Sequence, residues 1–332
     1  MARATVQDVA KTAGVSVGTV SRVLNGSPAV SASSREKVAG AIRQLNYRPL
    51  ASARDLRRDR TMRILALAKN LESPIISEAF RGLGDAAALS GYVSLIAPTS
   101  GNLEREQQLV DMLRNGSVDG LILFSPTMPD ADVEALATQL SVVQLCEITE
   151  SEAAFGVSID DRQAAYDITR HLIRTGARRP AMIGNRAARS GRLREEGFRK
   201  ALSEAGLAAE HSLFADGDFD FHAGRRLTRE LLAMDRLPDA VFCGSDTVAA
   251  GCVREITDAG LRVPEDLAVA GFDDSIQAEM CVPELSTIRQ PAYDMGRVAF
   301  EALLERMTQP GMHRRGRMFL QHQLVIRDST RS

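Results

Sequence analysis

No stretch of this 332-residue chain reaches the run of about 18 apolar residues that a membrane-crossing helix needs. The first residues, Met1-Ala2-Arg3-Ala4, lack the apolar core of an export signal, so a cytoplasmic protein is expected. Cysteine is scarce: Cys146, Cys243, Cys252 and Cys281 form no CxxC pair and sit in or beside apolar stretches. They read as buried free thiols, with a metal site or a catalytic thiol as the rival reading. The five histidines (His171, His211, His222, His313, His322) fall in no metal-ligand spacing. No strand candidate is followed by the glycine pattern of a dinucleotide or triphosphate cradle, and no GxSxG turn is present. Gly82-Leu83-Gly84 lies inside an amphipathic stretch, where glycine more often permits close helix packing. No metal, cofactor or catalytic residue is expected.

Charge, by contrast, is unevenly spread. Residues 1–60 carry 11 Lys/Arg against 4 Asp/Glu, while the remaining 272 carry 30 against 39. The net −2 of the whole chain thus conceals a basic head on an acidic body. A small, strongly positive, helix-patterned head is suited to a phosphate polyanion. The body is long enough, and at 44% apolar residues rich enough, for substantial cores.

In the head, Thr5-Val6-Gln7-Asp8 is a capping box with Thr5 as N-cap and Asp8 reaching back to its amide. Val6, Val9, Ala10 and Ala13 recur at helical spacing until Gly14 stops the helix. Ser16 caps a second helix, Val17 to Leu24, closed by Asn25-Gly26. A third helix, from Ser33 or Ser34 to Leu45, has Val38, Ala41, Ile42 and Leu45 as its buried stripe. The first two helices and their short connection make a helix-turn-helix, whose second helix enters the major groove by its N-terminal end. Val17, Gly18, Ser21 and Arg22 face outward, and Val20, Val23 and Leu24 face the core. Arg22 is the only long donor on that exposed face and suits a guanine edge. The hydroxyls of Ser16, Thr19 and Ser21 suit phosphate oxygens. The plainer alternative is that Ser16 only caps and Arg22 only meets solvent.

The segments Asp8-Val9-Ala10, Ala13-Gly14-Val15-Ser16, Thr19-Val20-Ser21-Arg22-Val23-Leu24-Asn25 and Asn46-Tyr47-Arg48-Pro49 resemble the head of the lactose/galactose repressor family almost position by position. That resemblance implies a DNA-binding domain over 1–48 and a hinge over 49–60 that becomes helical only on DNA. Two hinges would pair in the minor groove, with Leu56 wedged between base pairs to kink the duplex. Family hinges usually open with Asn after the proline. This chain has Leu50, and the missing cap weakens hinge folding by about 1 kcal/mol. The residues expected to meet DNA are Thr5, Ser16, Val17, Gly18, Thr19, Ser21, Arg22, Asn25, Ser31 and Tyr47, joined in the hinge by Arg54, Leu56 and Arg57.

From Met62 onward, short apolar runs alternate with amphipathic segments. Strand candidates are 64–68, 92–96, 120–124, 142–145, 181–184, 240–243 and 267–272. Helices are expected over 76–90, 104–115, 162–175, 191–205, 221–233 and 246–259. Such alternation predicts an α/β body of parallel sheets with helices on both faces, in two Rossmann-like halves.

The resemblance continues through "VDGLILFSP", "VSIDDRQAAYDITRHLIRTGARRPAMIG", "FCGSDTVAAG" and "VPEDLAVAGFDD", and "GDFDFHAG" and "LVIRDSTR" lean toward the cytidine-repressor branch. It implies a periplasmic-binding-protein-like body over 61–332 for effector binding and dimerisation. A first lobe would hold about 61–158 plus 289–320, and a second about 159–288 plus the last crossover. A small molecule would lie between them. In the cleft, Arg194 matches the family's effector-binding arginine and Asp273 the carboxylate at a strand end. Ser245 stands where sugar binders often carry Asn, Ile75 and Ile76 replace a usual aromatic pair, and Phe219 sits where some members stack a base. Glu147 and Ser190 complete the candidates. For Arg194 and Asp273 the competing reading is an interlobe salt bridge without a ligand role.

The expectation is a homodimeric transcriptional regulator, a repressor of a pseudo-palindromic operator, controlled by a sugar or sugar derivative. A nucleoside is the alternative effector. An α/β enzyme and a constitutive architectural DNA binder are the rivals of other classes, and the second would not need so large a cleft-forming body. Helices near 76–90 and 246–259 are expected dimer surfaces. No leucine heptad follows Gln323, so a tetramer built that way is not expected.

Overall fold

Thr5 starts the head. Its Oγ1 accepts the Asp8 amide at 3.3 Å while Asp8 Oδ2 accepts the Thr5 amide at 2.8 Å, so the capping box forms. It launches α1 (Val6–Ala13), which Gly14 ends in the left-handed conformation at φ +63°. Ser16 Oγ accepts the Thr19 amide at 3.1 Å and opens α2 (Val17–Leu24). Helix α3 (Ala32–Gln44) begins before Ser33, because the cap is Ser31, whose Oγ accepts the Ser34 amide at 3.2 Å. Val9, Ala10, Ala13, Val20, Val38 and Ala41 are buried together, and Val23, Leu24, Ile42 and Leu45 pack around them half-buried.

In this computed structural model, residues 4–24, 27–47, 60–149, 153–309 and 314–330 are described, and the chain divides into units 1–61 and 62–332. The expected hinge over 49–60, with Arg54, Leu56 and Arg57, lies outside the described residues but for Arg60, as does Asn25.

The larger unit is built on two parallel sheets. The first, in the order β11-β5-β4-β3-β1-β2, unites β1 (Arg63–Ala68), β2 (Val93–Pro98), β3 (Gly120–Phe124), β4 (Val142–Leu145), β5 (Phe155–Ser158) and β11 (Arg317–Phe319). The second, in the order β7-β6-β8-β9, holds β6 (Pro180–Gly184), β7 (Phe214–Asp216), β8 (Ala240–Cys243) and β9 (Ala268–Ala270). Every residue of β3, β4 and β8 is buried, which is why β3 and β8 read as continuous apolar runs and β4 as one broken only by Gln144, whose amide bonds Thr149. Helices α4 (Pro74–Leu89), α5 (Leu103–Arg114) and α6 (Asp130–Gln139) belong to the first lobe. The second has α7 (Asp161–Arg174), α8 (Arg189–Glu204), α9 (Phe221–Leu232), α10 (Asp246–Asp258) and the short α11 (Ile276–Met280). The chain passes between lobes after β5, again after β10 (Thr287–Arg289) into α12 (Ala292–Thr308), and again from β11 to β12 (Gln323–Val325). Strands β10 and β12 pair antiparallel, so two of the crossings form one ribbon.

Helices α4 and α12 pack face to face through reciprocal glycines. A Cβ on Gly82 would lie 1.9 Å from the Tyr293 carbonyl oxygen, and one on Gly296 would lie 1.9 Å from that of Ala79. The helical reading of Gly82 is correct, and its lack of a side chain is what the packing requires.

Several elements were not anticipated: β5, β7, β10, β11, β12, α6, the short α11 and the long α12. The expected strand 267–272 shrinks to Ala268–Ala270, because the chain turns beyond it to reach Asp273 at φ +117°. No helix among the described residues is long and apolar enough to cross a membrane.

Candidate functional site

On the head, Val17, Gly18 and Arg22 are exposed, Ser21 and Thr19 are half-buried and Val20 is fully buried. Helix α2 therefore presents its N-terminal turn and Arg22 outward, the geometry of a groove-reading helix. Other candidates on the head already have local roles. Thr5 and Ser31 are caps, and the Ser16 and Thr19 hydroxyls lie 3.0 Å apart. Tyr47 leans half-buried on the head core. Those hydroxyls can still offer lone pairs or protons to phosphate, but Arg22 has the reach for a base edge.

In the larger unit a cleft of about 750 Å³ opens at the C-terminal ends of both parallel sheets. Its floor is a set of strand-end turns: Ser125 after β3, Cys146 and Glu147 after β4, Ser158 closing β5, Asn185 after β6, Ser245 after β8 and Asp273 after β9. Three of these, Ser125, Cys146 and Asp273, have positive φ (49°, 67° and 117°) without being glycine, and such backbone strain gathers at functional sites. All eight cleft residues picked out from the sequence line it: Ile75, Ile76, Glu147, Ser190, Arg194, Phe219, Ser245 and Asp273.

The sequence did not foresee how they are wired. Arg194 does not pair with Asp273. Its Nε donates to Asp161 Oδ1 at 2.8 Å and its Nη1 to the Gly244 carbonyl at 2.6 Å, while the guanidinium stacks 3.7 Å from the Phe272 ring centroid. Phe219 lies 5.7 Å away on the same cation. Both members of this ion pair belong to the second lobe, so it is no interlobe bridge. Asp273 is gripped instead by Gln290, whose Nε2 donates to Oδ1 at 2.7 Å. Gln290 directly follows crossover strand β10, so the cleft carboxylate is tied to the segment that joins the lobes. The next residue, Asp274, reinforces that tie by pairing with Arg289 of β10 at 2.5 Å and with Arg327 beyond β12 at 2.7 Å. Arg194 Nη2 and Asp273 Oδ2 carry no hydrogen bond to any described residue.

Glu147 and Ser190 make a contact between the lobes. The Ser190 amide donates to Glu147 Oε2 at 3.0 Å, and the Ser190 hydroxyl bonds the same carboxylate. Ser245 Oγ accepts the Val248 amide at 3.2 Å as N-cap of α10, leaving the hydroxyl proton for another acceptor.

Burial dominates the electrostatics. It pushes the Asp273 carboxyl up to about 8, partly opposed by Arg194 and assisted by Asp246. Asp161 is likewise raised by burial, to about 6, against the pull of Arg194. Asp246 reaches about 6 for the same reason, restrained by bonds from Thr287 and Ser275. Burial works against the Arg194 charge, but Asp161 and Asp273 more than offset it and its pKa is raised. Desolvation also pushes the Cys146 thiol up, which disfavours its thiolate form. Among the described residues no cluster of three or more His, Cys, Asp or Glu is placed to hold a metal ion.

Residues 5–49 match the model described as bacterial regulatory proteins, lacI family, and residues 169–330 match that of a periplasmic binding protein-like domain. The HTH-type transcriptional repressor CytR of Escherichia coli (strain K12) is 34% identical over 332 residues, 99% of this chain and 97% of that protein. A solved structure of the lac repressor dimer bound to operator and the anti-inducer ONPF superposes with a TM-score of 0.87 and 28% identity, covering 100% of each chain. A transcriptional regulator CelR–cellobiose complex gives a TM-score of 0.75 at 32% identity, covering 98% of this chain and 100% of that one.

Proposed function

The chain belongs to the lacI family of bacterial regulatory proteins, and on that premise we propose that its cleft takes a small-molecule effector that sets operator affinity. Members of this family are transcriptional regulators, and this one is a DNA-binding regulator that acts as a dimer on operator DNA and answers to a small molecule. The observation that carries the effector reading is the convergence of all eight candidate residues on one cleft between lobes joined by a paired ribbon. A sugar or sugar derivative is the favoured effector. Asp273, Glu147, Ser190 and Ser245 offer the oxygen acceptors that hydroxyls need, and the similar CelR chain is described in complex with cellobiose. A nucleoside is the second reading, supported by the Phe219 ring on the cleft wall beside Arg194.

Arg22 is proposed to read a base edge and Leu56 to act as the hinge wedge. The reading includes no catalytic step, no metal and no cofactor, and it places the protein in the cytoplasm. A thermal-shift screen of sugars and nucleosides, followed by operator binding with the hit, tests it. Asp273→Ala is expected to abolish the response to that ligand. A variant that responds like the wild type would remove the cleft from the effector role.

A further inference from the structure

Helix α8 begins without a capping side chain of its own. Its N-cap is Ala188, which has no side-chain cap, and its first turn contains no acidic residue. Instead it carries Arg189 and Arg192, both on the cleft lining. A helix terminus with unsatisfied amides beside cations is a ready seat for an anion such as phosphate. Here Asn185 Oδ1 accepts the Ala188 amide at 3.2 Å just before the helix, and a carboxylate already sits on its first turn. Glu147, arriving from the end of β4 in the other lobe, accepts the Ser190 amide at 3.0 and 3.3 Å through its two oxygens and takes the Ser190 hydroxyl as well. Elsewhere on the wall, carboxylates outnumber cations, seven to four over the whole lining. The most deeply buried cation, Arg194, is already paired with Asp161 at 2.8 Å.

From this arrangement we infer that Glu147 is the selectivity residue of the cleft: its carboxylate fills the anion seat of α8, excludes phosphorylated ligands, and reserves the site for neutral molecules bearing hydroxyl or N–H donors. The inference rests on the effector reading of the cleft and narrows its ligand class. A phosphate entering the cleft meets Glu147 at close range, and like charges in a partly desolvated site repel strongly. A hydroxyl donor meets the same oxygens as acceptors. Selection here acts through repulsion of the wrong ligand as much as attraction of the right one.

The test needs no knowledge of the natural effector, because inorganic phosphate is the probe. Equilibrium dialysis and thermal shift are run on the full chain, with chloride at matched ionic strength as the blank. Wild type is expected to bind phosphate not at all or at least about tenfold more weakly than Glu147→Ala, in which the seat is open. Adding Ser190→Ala to that variant is expected to weaken the new binding, locating it at the α8 terminus. If Glu147→Ala does not fold, Glu147→Gln keeps the shape and removes the charge, and the same gain is expected. Saturable phosphate binding by wild type equal to the variants, or no gain in either variant, overturns the inference. A second arm compares glucose with glucose 6-phosphate and cytidine with its 5′-monophosphate on wild type. A phosphorylated form that stabilises more than its parent overturns the selectivity while leaving the effector cleft intact. A ligand response that survives Asp273→Ala instead sinks the cleft reading itself.

Discussion

Asp273 shows how much a single position can carry. It is a non-glycine residue at φ +117°, held by Gln290 and surrounded by Asp161 and Asp246. Burial raises its carboxyl from 3.8 to about 8, so between those values the folded protein holds a proton that the unfolded chain releases. Stability is therefore lost as pH climbs through that window. From about pH 6.5 to about 8, denaturant melts of the ligand-free protein should lose at most about 1.4 kcal/mol per pH unit through this group. Asp273→Asn should flatten that slope, and an unchanged slope would show that the proton sits elsewhere. Arg194 and Asp161, with side chains only 8% and 5% exposed, are a pair in which removing either member strands the other charge. Asp161→Ala is expected to cost about 3–5 kcal/mol, read from chemical denaturation. On the head, Arg22→Ala should weaken operator binding by about 1–3 kcal/mol and relax preference at one base position, measured by competition among variant duplexes. Equal weakening on every duplex would make Arg22 a phosphate contact instead.

At the scale of elements, the α4–α12 contact depends on glycine. Gly82→Ala places a methyl 1.9 Å from the Tyr293 carbonyl oxygen, and the two helices must part. A loss of about 1–3 kcal/mol is expected in thermal or urea unfolding, with operator recognition by the head retained. The elements legible in advance were those whose signals are local. The capping box of Thr5 and Asp8, the turn at Gly14 and the fully buried β3, β4 and β8 all follow from neighbouring residues. What escaped was settled by distant partners. Strand β11 is three residues that pair with β5, far back in the chain, and no periodicity marks so short an element. Helix α6 has Pro129 as its N-cap and no capping hydrogen bond, so its entry signal is faint. The same distinction applies to the cleft. Arg194 was identifiable from its motif, but its partner Asp161 stands 33 residues away and was one of two adjacent carboxylates, Asp160 and Asp161. Asp160 became the α7 N-cap, and only the packing of α7 against α8 assigned Asp161 to the arginine. Gln290, which follows Ser286-Thr287-Ile288-Arg289, carried no local signal of its own.

Across the whole molecule, charge and apolar surface divide the work. The basic head and acidic body favour approach to DNA through the head, with a strong salt dependence. In the body, Leu89, Val93, Met280 and Val282 are 91%, 58%, 73% and 86% exposed, a cost to an isolated chain that a second copy would relieve. Leu89→Asp with Val93→Asp should shift the sedimentation equilibrium toward monomer and weaken operator binding together, because a two-fold site needs two heads. Monomers that bind the operator as tightly as wild type would separate dimerisation from recognition. Because effector and operator act on one equilibrium, each must change the other's affinity by the same factor. The most direct measurement of the central claim is selection of duplexes from a random pool by the purified chain, repeated over a range of salt with the cleft ligand absent and present. The expected result is an enriched inverted repeat whose affinity falls steeply with salt and shifts with the ligand. Enrichment of no symmetric sequence under any of these conditions would contradict the account.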